Sequence, residues 1–321
     1  MTRIVRRALP ALLALPGLAR AQGGFPSRPI RIVVAWPAGG GVDTPTRLIA
    51  PIMTRQLGQP VVLDNRGGAT GSIGEAEAAR AAPDGYTILS TGLSLATNPQ
   101  VMKGVTYDPL TSFVPVTEVS RAPLLLVVRA DHPAQSLAQL LDMARAAPGQ
   151  MSYFSSGQIG GPHLTGLMLL KRAGATATHV SYRGGSQSIA GVMGGDTDFG
   201  FSTLPQAVPL VKEGRLRALG VTSEARMPLL PEVPTIIEQG FPGLARFESV
   251  HFWAPAGTPA VAIARLQEAV AIALRDPDVR ARLDQLGITP VGGTPEELLA
   301  SFTAYMAWAT EMIRSEGLRM D

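Results

Sequence analysis

The stretch from Ile30 to Gly58 constrains the fold more than any other part of the chain, because it reads as a buried strand, a glycine loop and a helix in immediate succession. Ile30-Arg31-Ile32-Val33-Val34-Ala35-Trp36 is β-branched and nearly all apolar, as a strand covered on both faces should be. Pro37-Ala38-Gly39-Gly40-Gly41 breaks it, and Asp43 stands where a short carboxylate can cap free amides or oppose a helix dipole. Leu48, Ile49, Ile52, Met53 and Leu57 follow at helical spacing, with Gly58 at the C-cap position. A glycine loop between a parallel strand and a helix leaves backbone N–H groups free to receive an anion. Nucleotide chemistry does not fit. The loop continues Val42-Asp43 where a P-loop needs Lys and Ser/Thr, and G-x-G-x-x-G is absent.

Residues 1–21 read as an export signal: Arg3, Arg6 and Arg7, an apolar run from Ala8 to Leu18, and Ala19-Arg20-Ala21 as cleavage site. The Arg6-Arg7 pair leaves the export route open. The whole chain has 28 basic and 25 acidic residues, but the signal holds four of the arginines, so cleavage after Ala21 leaves 24 against 25 and a net charge of −1. No Lys/Arg cluster remains to receive nucleic acid. The chain has no cysteine, which excludes disulfides and thiolate metal sites. About 300 mature residues suffice for one large domain or two moderate ones.

The pattern then recurs. Val61 to Leu63 reads as a strand closed by Asp64-Asn65-Arg66-Gly67-Gly68, ahead of a helix from Ile73 to Ala82; Tyr86 to Ser90 is a strand ending in Thr91-Gly92-Leu93-Ser94. Val114–Glu118 and Leu124–Val128 read as two strands leading into a second unit. There Met151 to Phe154 ends in Ser155-Ser156-Gly157-Gln158-Ile159-Gly160, with His163 opening the next helix. His179–Tyr182 is a strand, Ser188–Met193 a helix, and Phe199–Phe201 a strand ending in Ser202-Thr203-Leu204-Pro205. From about Val250 the chain returns to the first unit and finishes in helices, the last opened by the capping box Thr294-Pro295-Glu296-Glu297. Repeated strand–loop–helix units predict an α/β protein with mainly parallel sheets flanked by helices and a ligand crevice at the strands' carboxyl ends.

Five segments in order resemble the Bug family, the extracytoplasmic solute receptors of tripartite tricarboxylate transporters. They are Pro37–Asp43, Gln56–Val62, Asp64–Arg66, Ala82–Thr87 and Ala254–Pro259, and the likeness covers essentially the whole mature chain. The resemblance implies a two-lobed, type II-like periplasmic-binding-protein fold, with 22–121 and 250–321 as one lobe and 122–249 as the other. It implies a monomer that holds a small carboxylate in the cleft between the lobes and delivers it to membrane permease subunits. It further implies that the loop holding Trp36, Ala38 and Gly39 and the loop holding Ser155, Ser156, Gly157, Gln158 and Gly160 pin a ligand carboxylate. Ser94, Ser202 and Thr203 would then lie near the rest of the ligand.

Three departures bear on the ligand. The hydroxyl common in the family at position 160 is Gly160, the usual Tyr-Lys-Gly is Tyr182-Arg183-Gly184, and the acid often found before Thr-Leu-Pro is Ser202. With Ser202 in the cleft, no acid would meet an ammonium, so plain or hydroxylated di- and tricarboxylates, or an aromatic acid on Trp36, are expected over amino acids. Trp36 serves equally as core or ligand wall, and Arg183 as a solvated or a cleft charge. His163 is placed among the ligand-site residues, with helix packing as its alternative. No catalytic residue, cofactor or metal is expected: no nucleophile elbow G-x-S-x-G occurs, and the histidines lack metal-ligand spacing. Two alternatives share the architecture, a periplasmic sensor subunit for carboxylates and an exported hydrolase.

Overall fold

The computed structural model describes residues 24–318. The proposed signal peptide and its cleavage site lie outside them. In chain order the elements are β1 (Ile30–Val34), α1 (Asp43–Leu57), β2 (Val61–Asn65), α2 (Ser72–Ala79), β3 (Thr87–Thr91), α3 (Ser94–Val101) and β4 (Phe113–Arg129). They continue as α4 (Leu137–Ala146), β5 (Ser152–Ser155), α5 (Gly161–Ala173), β6 (Thr178–Ser181), α6 (Gly185–Gly194), β7 (Phe199–Thr203), α7 (Leu204–Lys212) and β8 (Leu216–Val221). The closing elements are β9 (Phe247–Pro255), α8 (Ala260–Arg275), α9 (Pro277–Gln285), β10 (Thr289–Pro290) and α10 (Pro295–Glu316).

Strand order β2-β1-β3-β9-β4-β7-β5-β6 places two parallel groups on either side of two long strands. β1 lies between β2 and β3, parallel to both, and β5 is parallel to β6 and β7. These are the parallel pairs that the strand–loop–helix repeats predict. β9 and β4 add antiparallel pairing, so each sheet is mixed. The cause is topological: a strand that carries the chain across and another that brings it back must run in opposite directions.

β4 is one strand of 17 residues, not the two separate strands expected. It pairs with β9 from Phe113 to Pro123, then with β7 and β8 from Leu124 onward. Polar Glu118-Val119-Ser120-Arg121 hides this continuity in the sequence. Register shifts after Pro115 and Glu118 bend the strand without ending it. Past the switch, side chains alternate between two cores. Leu124, Leu126 and Val128 join Leu140, Tyr153 and Phe201, while Leu125 and Val127 join the core that contains Ile32 and Phe252.

The helix punctuation is largely as predicted. Gly58 caps α1 in the left-handed conformation at φ 65°. The Thr294 hydroxyl accepts from the Glu297 amide at 3.2 Å while the Glu297 carboxylate accepts from the Thr294 amide at 2.8 Å. Two helix starts differ. α6 begins at Gly185, three residues before the expected Ser188, because Gly184-Gly185 reads as loop when only local sequence is considered. α7 begins at Leu204, where Ser202-Thr203-Leu204-Pro205 reads locally only as a strand end; Pro205 occupies its first turn, where no amide is needed. Both starts face the site described next. Among the described residues no helix is long and apolar enough to cross a membrane.

Candidate functional site

A cavity of about 240 Å³ opens where the carboxyl ends of the strands from the two sheets face each other. Three helix starts converge on its wall: Gly41 and Val42 ahead of α1, Gly184 to Gln187 at α6, and Thr203 to Gln206 at α7. First-turn amides have no intrahelical acceptor and carry the positive end of the helix dipole, so their convergence favours an anion.

The loop before α1 is held from below. Asp43 is buried, and its carboxylate accepts from the Gly39 amide at 2.9 Å, from Arg47 at 2.7 and 3.0 Å and from Asn65 at 2.9 Å. Burial pushes its carboxyl up, but the hydrogen bonds from Arg47, the Gly39 amide and Asn65 outweigh it and keep the group below the ordinary range. Asn65 also donates to the Trp36 carbonyl at 3.0 Å, which ties the end of β2 to the end of β1. Gly39, at φ +75°, needs to be glycine for its backbone. Asp43, the first residue of α1, is therefore not the cap expected: Val42 holds that position without a side-chain bond, and Asp43 fastens the loop behind it without lining the cavity.

The glycines also let the two lobes meet. A Cβ on Gly41 would come 2.9 Å from Thr203 Cγ2, one on Gly184 3.2 Å from Pro37, and one on Gly157 3.0 Å from Thr70. Each pair joins a residue before Pro115 to one after Ser155.

Of the expected ligand residues, Trp36, Ala38, Ser156, Arg183 and Thr203 line the cavity. Trp36 does so while packing against two core clusters, combining both of its readings. Arg183 is exposed at the mouth, and its guanidinium has no partner among the described residues. Gly39 sits beside the lining segment. The rest are set back. Ser94 is turned away: its hydroxyl donates at 3.0 Å to Glu75, a buried carboxylate that also accepts from Thr91, Asn98 and Tyr107. Burial pushes the Glu75 carboxyl up despite these donors. Ser202 is buried on β7 opposite Leu125 and does not line the cavity, so it sets no ligand preference there.

Gly157, Gln158 and Gly160 belong to the loop between β5 and α5, Ser155 ends β5 and His163 lies in the first turn of α5; of this stretch, Ser156 reaches the cavity. The Ser155 hydroxyl donates to the Gly157 carbonyl at 2.7 Å and lies 2.8 Å from His179 Nε2, which must then be the donor in that contact. His163 Nδ1 accepts from the Ile159 amide at 2.9 Å. That bond steadies a β-branched residue at φ +56°, a conformation costly outside glycine. Gly160 is the N-cap of α5. His163 is thus a positioning residue for this loop, not a wall of the cavity.

The Ser155–His179 contact is a pair that sequence spacing did not reveal, because it depends on β5 lying parallel to β6. It is poorly arranged for nucleophilic catalysis. The serine's proton is already committed, burial pushes the imidazole down to about 4, and no carboxylate among the described residues accepts from its second nitrogen.

Glu248 was missed altogether. It lines the cavity from β9, its Oε1 closed to solvent and without a hydrogen-bond partner. Burial pushes its carboxyl up to about 7.

Two lobes, crossing strands and a cavity at the strands' carboxyl ends define the periplasmic-binding-protein fold. Residues 46–318 match the family described as tripartite tricarboxylate transporter family receptor, and the chain belongs to that family. A Pseudomonas sp. (strain P51) relative, the UPF0065 protein in the tcbD-tcbE intergenic region, is 40% identical over 308 residues, spanning 94% of this chain and 92% of its own. Periplasmic binding protein BugD superposes with a TM-score of 0.87 at 31% identity, over 92% of this chain and 100% of that one. R. palustris Rpa4515, solved with adipate, gives a TM-score of 0.87 at 31% identity, over 92% of this chain and 99% of its own.

Proposed function

We propose that this protein is an exported receptor that closes two lobes on a small carboxylate and hands it, unchanged, to the permease subunits of a tripartite tricarboxylate transporter. The observation that carries the reading is the meeting of three helix starts on one enclosed cavity. Their amides supply pre-oriented donors for a carboxylate and no group positioned for proton transfer to it. The adipate bound by a relative with the same fold supports this class of ligand.

In this reading the lobes comprise 22–121 with 250–321, and 122–249; the change of partners along β4 at Pro123 and Leu124 supports that division. The signal is removed after Ala21. The amides of Ala38, Gly41, Val42 and Gly185 to Gln187 hold the carboxylate, Trp36, Ser156 and Thr203 contact its remainder, and Arg183 meets it at the mouth. Ser155, Gly157, Gln158, Gly160 and His163 act by shaping their loop, and Ser94 and Ser202 through the packing behind the cavity.

A thermal-shift screen of the mature protein against mono-, di- and tricarboxylates tests the reading. A concentration-dependent rise in Tm with at least one of them is expected, with the ligand unchanged by NMR after prolonged incubation. Turnover, or no stabilisation by any carboxylate, contradicts it.

A further inference from the structure

Glu248 lines the cavity, and among the described residues its carboxylate has no counter-charge. On β9, Glu248 and Val250 line the cavity between the lobes, Phe247 and His251 line a second cavity behind it, and Ser249 borders both. Two glycines clear the space around Glu248. A Cβ on Gly161, the first residue of α5, would fall 1.7 Å from Glu248 Oε1, and one on Gly92 would be 3.9 Å from Oε2. Oε1 has neither solvent nor a hydrogen-bond donor, and no basic side chain among the described residues forms an ion pair with Glu248. A buried, unpaired carboxylate is costly to maintain, and it repels a ligand that is anionic at both ends. The same wall presents helix starts that attract an anion. A cavity with a positive arc and one isolated negative group is complementary to a zwitterion.

Resting on the receptor reading above, we propose that the captured carboxylate also carries a protonated nitrogen, which Glu248 receives, so that Glu248 selects amino carboxylates over plain ones. Ser202, from which the opposite preference was expected, lies off the cavity. The acid that meets the nitrogen comes from β9, in sequence 46 residues further on. The charged and titratable groups on either side of this stretch of β9 are Arg183, which lines the cavity, and Arg246, Tyr305, Glu118, Arg121 and His251, which line the second cavity behind it.

The test is calorimetry of the mature wild-type protein against matched pairs of ligands: glutamate with glutarate, aspartate with succinate, and β-alanine with butyrate. The two members of each pair differ chiefly in the cationic nitrogen. In at least one pair the nitrogen-bearing member binds at least tenfold more tightly, and Glu248→Gln reduces that ratio to about twofold or less. Titration in two buffers of different ionisation enthalpy shows proton release at pH 7 on binding the favoured member. Equal or tighter binding of the plain carboxylate in every pair that binds, or proton uptake on binding the nitrogen-bearing member, overturns the proposal and leaves the receptor reading standing. Failure of both members of all pairs, together with a negative carboxylate screen, removes the receptor reading itself. The wild-type comparison decides the matter even if the variant is unstable.

Discussion

The imidazole rings of His163 and His179 lie stacked, centroids 3.6 Å apart and 1° from parallel. Two protonated rings could not be held this way, and both are neutral in the folded protein. Burial pushes His163 down to about 3, with the neighbouring His179 adding to the effect, and pushes His179 down to about 4. Their folded pKa values lie below the unfolded one, so the unfolded chain binds protons first as pH falls through about 6.5. The stabilisation is therefore complete above that pH and lost progressively toward pH 4. His251, buried and likewise pushed down to about 4, acts in the same direction. Denaturant unfolding at pH 7 and pH 4.5 is expected to show a loss of about 5 kcal/mol from the stacked pair, on the scale of 1.4 kcal/mol per pH unit for each of the two groups. His179→Gln flattens that dependence. A stability unchanged over the interval contradicts the neutral stack.

Asp43 is expected to matter for the loop before it. Asp43→Asn removes the charge that Arg47 and the Gly39 amide share, and it loses about 2 kcal/mol by the usual worth of buried charge-assisted hydrogen bonds. Equilibrium unfolding measures the loss. Carboxylate affinity falls with it, because the Gly39 end of the loop is released. A variant with unaltered stability shows that the loop is held elsewhere.

Ser155→Ala separates positioning from contact. It removes the bond to the Gly157 carbonyl and the acceptor for His179, at about 1–2 kcal/mol of stability, while the cavity-lining Ser156 keeps its place. Carboxylate affinity in calorimetry is expected to change by less than about fivefold on that scale. Complete loss of binding with the fold intact places Ser155 against the ligand.

Much of this arrangement was legible in the sequence. Pro37 to Gly41 and Ser155 to Gly160 are strand-end loops because glycine and proline punctuate apolar runs, and local chemistry decides that much. Trp36 and Ser156 belong to or adjoin those loops, whereas Arg183 and Thr203 are reached only through the resemblance to the family. What stayed hidden depends on distant pairing. The stack of His163 on His179 requires β5 beside β6, and Glu248 reaches the cavity only through the register that sets it opposite Ala122 on β4. Its own neighbours, Phe247 and Ser249, say nothing of a charge in a crevice. The α7 start was obscured because Ser202-Thr203-Leu204-Pro205 reads locally only as a strand end.

Lobe closure on an anion at the helix starts is the central claim, and the meeting of Gly41 with Thr203 gives it a direct test. Gly41 does not have a left-handed φ, so Gly41→Val adds bulk without the backbone strain that a change at Gly39 brings. The decisive measurement is a calorimetric titration of the wild type and Gly41→Val, side by side, with the carboxylate that most raises Tm. The account predicts saturable binding at one site per chain in the wild type. In the variant it predicts affinity lower by about a hundredfold, the scale of 2–3 kcal/mol for overpacking a closed contact, with the fold retained by circular dichroism. Equal affinity in a folded Gly41→Val protein would contradict it.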